Sequence, residues 1–135
     1  MTILLSQVKI ADKRSPFNGL VKDILIKDQQ IVSITDKYKG VVDQTIDLKN
    51  SMVSPGFIDP FVHFCDPGME HRETLSTGSN AAIQGGFTTV FVVPNTTPVI
   101  DNKSQVTYVK QHSQELPIHI LPIGALSKKI EGKDL

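Results

Sequence analysis

The chain has 135 residues with 14 acidic and 14 basic side chains, so its formal net charge at pH 7 is zero. This balance gives no reason to expect a nucleic-acid partner or an anionic membrane surface. The single cysteine, Cys65, excludes an internal disulfide and any zinc cluster built from cysteines. Because no apolar run reaches membrane-spanning length and the start lacks the basic residues of a signal peptide, the expected location is the cytoplasm.

The residues before Val53 predict a small β-sheet. Short runs of alternating or β-branched residues lie at 2–9, 23–27, 30–34 and 45–48. Asp28 and Gln29 separate the second and third runs, a spacing typical of a β-hairpin, although the glycine of a tight turn is missing. We therefore predict an antiparallel, β-sandwich-like module over residues 1–52.

From residue 53 to residue 135 the pattern changes to apolar strands that alternate with helices. Strands are predicted at 57–64, 87–93 and 118–123, and helices at 73–84 and 104–114 with Ser104 as the second N-cap. This alternation predicts an α/β fold with a parallel sheet covered by helices. Since a closed barrel of such units needs roughly 250 residues, we expect the N-terminal part of a larger protein. The polar segment 127–135 is expected to enter another helix.

The first of these strands carries the candidate site. Side chains alternate between the two faces of a strand, so Asp59, Phe61, His63 and Cys65 are predicted to share one face. They lie near the carboxyl end of the strand, which is where parallel α/β folds usually place their chemistry. The sequence therefore directs attention to this face.

Several motifs in the second half of the chain are specific in combination. They are PGFIDPFVHFCDPG at 55–68, EHRET at 70–74, GGFTTV at 85–90, PNTTPVID at 94–101 and LPIGA at 121–125. With the preceding small sheet, they resemble the amidohydrolase superfamily and, within it, the cyclic amidohydrolases called dihydroorotases. The resemblance implies the first three βα units of a TIM-like (β/α)8 metal-dependent hydrolase barrel. It also implies a zinc-dependent hydrolysis of dihydroorotate to carbamoyl aspartate in pyrimidine biosynthesis, in a protein expected to form homo-oligomers.

The chain departs from the pattern of this family at its first barrel strand. There the family has two zinc-binding histidines and an arginine that binds the substrate carboxylate, and the matching positions here are Phe61, His63 and Cys65. Phenylalanine has no lone pair for a metal, and cysteine cannot form the forked pair that arginine makes with a carboxylate. Asn95 matches a substrate-binding position. The remaining family ligands and the catalytic aspartate are expected after Leu135, so no catalytic residue is expected within the chain.

Each candidate residue also has an ordinary structural interpretation. His63 is either a metal ligand or a structural histidine, and Cys65 is either a second ligand, since thiolate suits zinc, or a small buried thiol. Asp59 either supports the site or satisfies backbone donors. Asn95 contacts substrate or belongs to a turn. Arg72 either replaces the missing guanidinium or is simply solvated.

Two functions of different classes follow from the resemblance. The first is a dihydroorotase-type enzyme, impaired in this copy because Phe61 and Cys65 replace site residues, with zinc bound weakly or not at all. The second is a non-catalytic, dihydroorotase-like scaffold. Some family members that lack metal ligands associate with aspartate transcarbamoylase, so by analogy that enzyme is the expected partner of a scaffold.

Overall fold

The computed structural model describes residues 1–134 and divides the chain into two compact units, the first ending at Pro55 and the second beginning at Gly56. The sequence-based boundary lies three residues earlier, after residue 52. Within the described residues, no helix is both long enough and apolar enough to cross a membrane.

The first unit is a five-stranded sheet. Its strands are β1 Thr2–Ile10, β2 Val21–Lys27, β3 Gln30–Thr35, β4 Gln44–Asp47 and β5 Met52–Val53. The order is β3-β2-β1-β4, and β5 also pairs with β1. The first three strands are antiparallel as predicted, but β4 and β5 run parallel to β1. The sheet is therefore mixed, because the segment 36–43 crosses from the β3 edge to the far side of β1 before β4 begins.

The hairpin between β2 and β3 forms without a glycine. Asp28 and Gln29 have φ angles of 49° and 66°. A two-residue turn of type I′ needs left-handed backbone at both central positions. Aspartate is one of the residues other than glycine that adopt this conformation most readily. The predicted hairpin is confirmed, and its turn uses two residues that are not glycine.

A buried carboxylate joins the strands of the first unit. Asp23 is 5% exposed, and it accepts hydrogen bonds from the backbone N–H groups of Gln7 and Tyr38, both at 2.9 Å. Burial alone would raise the pKa of Asp23, but the two backbone donors lower it below its ordinary value. The register of β1 against β2 shifts between Leu5 and Val8, and Gln7 lies within this bulge. The N–H of Gln7 therefore donates to Asp23 instead of to the backbone of β2.

The second unit confirms the predicted strand–helix alternation. Its elements are β6 Phe57–Val62, α1 Leu75–Gln84, β7 Phe87–Val92, α2 Lys103–His112 and β8 His119–Pro122. The three strands form a parallel sheet in the order β6-β7-β8. One buried cluster joins sheet and helices, with members Phe64, Leu75, Val90, Val92, Ile100, Val109, Ile118 and Ile120. In place of the helix expected from residue 127, the chain makes a single 3₁₀ turn at Lys128–Ile130; Leu135 lies outside the described residues.

The start of each helix is fixed by a side-chain cap. Thr74 caps α1 and forms a reciprocal pair with Thr77, in which each side chain accepts a hydrogen bond from the other residue's backbone N–H. Asn102, rather than the predicted Ser104, caps α2, because its Oδ1 accepts the N–H groups of Ser104 and Gln105 at 2.9 and 3.2 Å. The helix therefore begins one residue earlier than predicted, at Lys103.

Candidate functional site

The loops that follow the three parallel strands emerge at one edge of the sheet, which we call the carboxyl edge. The N–H of Val93 donates to the carbonyl oxygen of Val62 at 3.0 Å, and the N–H of Ile123 donates to that of Val92 at 2.9 Å. Parallel strands end at the same edge, so the residues after Val62, Val92 and Pro122 are neighbours there. The candidate residues His63 and Asn95 both belong to this edge.

The alternation expected along the first strand is interrupted. Strand β6 ends at Val62 rather than Phe64, and its register against β7 shifts between Asp59 and Val62. The assumption of a single uninterrupted face from residue 59 to residue 65 was therefore wrong. The carboxylate of Asp59 accepts the N–H of Phe61 at 3.0 Å, so in this structure it satisfies a backbone donor where the pairing is irregular. Phe61 is 75% exposed.

His63 and Cys65 are nevertheless in contact. The Sγ of Cys65 lies 3.8 Å from Nδ1 of His63 and donates to the carbonyl oxygen of His63 at 3.6 Å. Cys65 is buried and has left-handed backbone, with φ of 63°, whereas His63 is exposed. That backbone conformation turns the thiol back toward the preceding histidine. A buried thiol thus lies beside an exposed imidazole.

These donors do not by themselves fit a zinc centre. Protein zinc sites use at least three side-chain ligands from cysteine, histidine and carboxylates. Among residues 1–134, no group of three or more such side chains is placed so that it could hold a metal ion. His63 and Cys65 supply two donors, and the side chain of Phe61 has no atom that binds a metal.

The acidic turn after β6 is anchored by a residue that the sequence-based reasoning did not single out. Asp66 accepts the O–H of Tyr108 at 3.0 Å and the N–H of Leu75, at the start of α1, at 3.1 Å. Burial raises the pKa of Tyr108, and the hydrogen bond to Asp66 and the charge of its carboxylate raise it further. Asp66 therefore links this turn to both helices. An acidic residue in a turn that leads into a helix was a visible signal, but its tyrosine partner was not.

A glycine allows the loops after β6 and β7 to touch. Gly68 has a φ of 95°, and a Cβ at this position would lie 1.6 Å from the carbonyl oxygen of Thr97. The N–H of Thr97 donates to the carbonyl oxygen of Pro67 at 3.0 Å. The N–H of Gly68 donates to the carboxylate of Glu70 at 2.7 Å, and this bond lowers the pKa of Glu70. The two loops are thus fixed to each other at the carboxyl edge.

Asn95 and Arg72 lie on these two loops. Asn95 is exposed and follows Pro94, whose carbonyl oxygen accepts the N–H of Thr96 at 2.9 Å, so the residue sits in a turn as well as at the carboxyl edge. Arg72 is exposed, and its N–H donates to the carbonyl oxygen of Met69 at 2.9 Å. Both side chains are therefore accessible to a ligand at this edge.

The sequence of this chain is similar to a known protein family. The model of the family described as dihydro-orotase-like matches residues 50–134. The dihydroorotase of Clostridioides difficile (strain 630) is 35% identical over 98% of this chain and 32% of its own length, and that of Syntrophus aciditrophicus (strain SB) is 36% identical over 100% and 32%. The dihydroorotase of Carboxydothermus hydrogenoformans is 42% identical over 84% of this chain and 26% of its own length. The chain spans about a third of the length of these curated relatives.

Solved structures show the same fold. An L-hydantoinase (dihydropyrimidinase) from Arthrobacter aurescens superposes with a TM-score of 0.81 at 24% identity, over 93% of this chain and 28% of that protein. A crystal structure of a dihydroorotase gives a TM-score of 0.66 at 18% identity, over 95% of this chain and 32% of that protein. At these identities the match concerns the fold, which is that of the first part of a TIM-barrel amidohydrolase.

Proposed function

Since the chain belongs to the dihydro-orotase-like family, we propose that it supplies the N-terminal sheet and first three βα units of a dihydroorotase-like cyclic amidohydrolase whose metal site is degenerate in β6. The relatives named dihydroorotase support the reaction class, a hydrolysis of a cyclic amide such as dihydroorotate. The family is generally metal-dependent, and zinc is the proposed metal, bound weakly or not at all by this copy.

The proposal rests on the residues that stand at positions 61 and 65. Phe61 presents an exposed ring where the family pattern has a zinc-binding histidine, and Cys65 turns a buried thiol away from solvent where the pattern has an arginine. His63 keeps a family ligand position, and Asn95 keeps a substrate-binding position at the same edge. The chain thus keeps His63 and Asn95 at two family positions. It lacks one metal-binding histidine and the arginine that would pair with the substrate carboxylate.

The experiment compares the full-length protein with Phe61→His, Cys65→Arg and the double variant. We expect Phe61→His to raise the zinc content, because it restores a histidine at the family's ligand position, while Cys65→Arg alone leaves zinc unchanged. We expect measurable hydrolysis of dihydroorotate only from the double variant, and only where the metal ligands expected after Leu135 are present, because metal binding and substrate positioning are both required. Elemental analysis and a turnover assay with added zinc make these measurements.

Two results would contradict this proposal. Turnover by the unmodified protein at a rate similar to the double variant would show that Phe61 and Cys65 do not impair the site. One tightly held zinc ion per chain, lost on Cys65→Ser, would show that His63 and Cys65 form a metal site after all. Cys65→Ser is the matched variant, since it removes the thiolate and keeps the size of the side chain.

The replacements at Phe61 and Cys65 also favour a second candidate, a non-catalytic scaffold that assembles with itself and with aspartate transcarbamoylase. A scaffold needs the fold and an interface but no metal, so loss of two site residues has no cost for it. It predicts a stable complex between the purified full-length protein and aspartate transcarbamoylase in size-exclusion chromatography with light scattering. Failure of the two proteins to co-elute at micromolar concentrations would remove this candidate.

A further inference from the structure

The segment after β8 also leaves the sheet at the carboxyl edge. The N–H of Ala125 donates to the carbonyl oxygen of Ile100 at 2.8 Å, which ties the beginning of this segment to the loop before α2. Residues 126–131 follow, and we call them the strap. Leu126 is 87% exposed and Ile130 is 49% exposed, so the apolar residues of the strap pack little against the rest of the unit.

The backbone of the strap is strained. Lys129 and Ile130 are both left-handed, with φ of 55° and 62°. Left-handed backbone is unfavourable for residues other than glycine and rare for a β-branched residue, because Cβ approaches the following carbonyl oxygen. Two such residues in succession persist only where their surroundings fix them.

Hydrogen bonds within the segment supply part of that constraint, such as those from the N–H of Lys128 to the carbonyl oxygen of Asp134 at 2.8 Å and from the N–H of Ile130 to that of Ser127 at 3.1 Å. One carboxylate outside the strap ties the segment to the loop before α2. The Oδ2 of Asp101 accepts the N–H of Lys129 at 2.9 Å, and its Oδ1 accepts the side-chain N–H of Asn102 at 2.9 Å. Asn102 caps α2, so the carboxylate is oriented by a residue that is itself fixed. The bond from Lys129 is the largest cause of the lowered pKa of Asp101, because a backbone N–H that donates to the carboxylate favours its ionised form.

We propose that the strap is a conformational device at the carboxyl edge and that Asp101 is its positioning residue. With the bond from Lys129 in place, the strap is held in its left-handed turn against the end of the loop after β7, the loop that carries Asn95. Without that bond, the strain at Lys129 and Ile130 drives the strap to ordinary backbone and opens that side of the edge. This inference concerns the fold and does not depend on the proposed reaction.

Hydrogen exchange measured by mass spectrometry tests the proposal on the full-length protein. We expect Asp101→Ala to speed exchange in residues 126–131 by roughly tenfold, the effect of losing one hydrogen bond to a charged acceptor, while α2 exchanges as before. Asp101→Asn keeps an acceptor oxygen and is expected to restore most of the protection. Trypsin cleavage after Lys128 and Lys129 should accelerate in the alanine variant alone, because a protease needs extended backbone.

A second variant separates strain from simple loss of a contact. Ile130→Asn places a residue that tolerates left-handed backbone at the strained position. In the Asp101→Ala background we expect it to recover part of the lost protection, since less strain remains to open the strap. The proposal is overturned if Asp101→Ala leaves residues 126–131 unchanged, if it speeds exchange equally throughout α2, or if Asp101→Asn behaves like alanine.

Discussion

Gly68 is the residue whose replacement most directly tests how the loops after β6 and β7 fit together. Its φ of 95° is unfavourable for alanine, and the added Cβ would lie 1.6 Å from the carbonyl oxygen of Thr97. Ordinary contact between carbon and oxygen needs more than 3 Å, so one loop must move by well over 1 Å. Such a movement breaks the hydrogen bond from the N–H of Thr97 to the carbonyl oxygen of Pro67.

The expected cost of Gly68→Ala follows from these parts. Left-handed backbone contributes about 1 kcal/mol for a residue with a Cβ, and the lost hydrogen bond contributes about 1 kcal/mol more. With residual crowding, we expect the free energy of unfolding to fall by about 2–4 kcal/mol. Urea unfolding followed by far-ultraviolet circular dichroism measures this change.

Two other glycines serve as matched controls. A Cβ at Gly124 would meet nothing within 4 Å and the residue is not left-handed, so Gly124→Ala is expected to change stability by less than about 0.5 kcal/mol. Gly19 has a φ of 80° but also meets nothing within 4 Å, so Gly19→Ala isolates the backbone cost of about 1 kcal/mol. If Gly68→Ala is no more destabilising than Gly19→Ala, the inferred contact with Thr97 is wrong.

Further predictions concern other buried contacts. In α1, a Cβ at Gly78 would lie 2.5 Å from the ring of Phe64. We therefore expect Gly78→Ala to lower the free energy of unfolding by about 1–3 kcal/mol through overpacking, despite the higher helix propensity of alanine. An increase in melting temperature would contradict this. The pKa of Asp23 is lowered in the folded state, so its stabilising contribution is present above the unfolded pKa and is lost as pH falls through the lower folded pKa. Acid titrations followed by circular dichroism should therefore show a shallower loss of stability below about pH 4 for Asp23→Asn than for the wild type; identical slopes would exclude this role for the carboxylate.

The pattern of apolar residues determined where most strands and helices lie. The alternation that begins near Val53 predicted the parallel sheet, and the spacing around Asp28 and Gln29 predicted the hairpin. These predictions succeed because the period of buried side chains reflects the local backbone conformation. The motifs also identified the family, and the unusual residues at positions 61 and 65 were visible at once.

Only the tertiary structure decided which distant groups meet. The parallel pairing of β4 with β1, the bond between Asp66 and Tyr108, and the contact of Gly68 with Thr97 each join segments far apart in the chain. No local period encodes such pairings, since they arise where a buried or irregular backbone must find partners for its donors and acceptors. For the same reason the sequence placed Cys65 on a regular strand face, whereas the end of β6 at Val62 and the left-handed turn at Cys65 direct its thiol to His63.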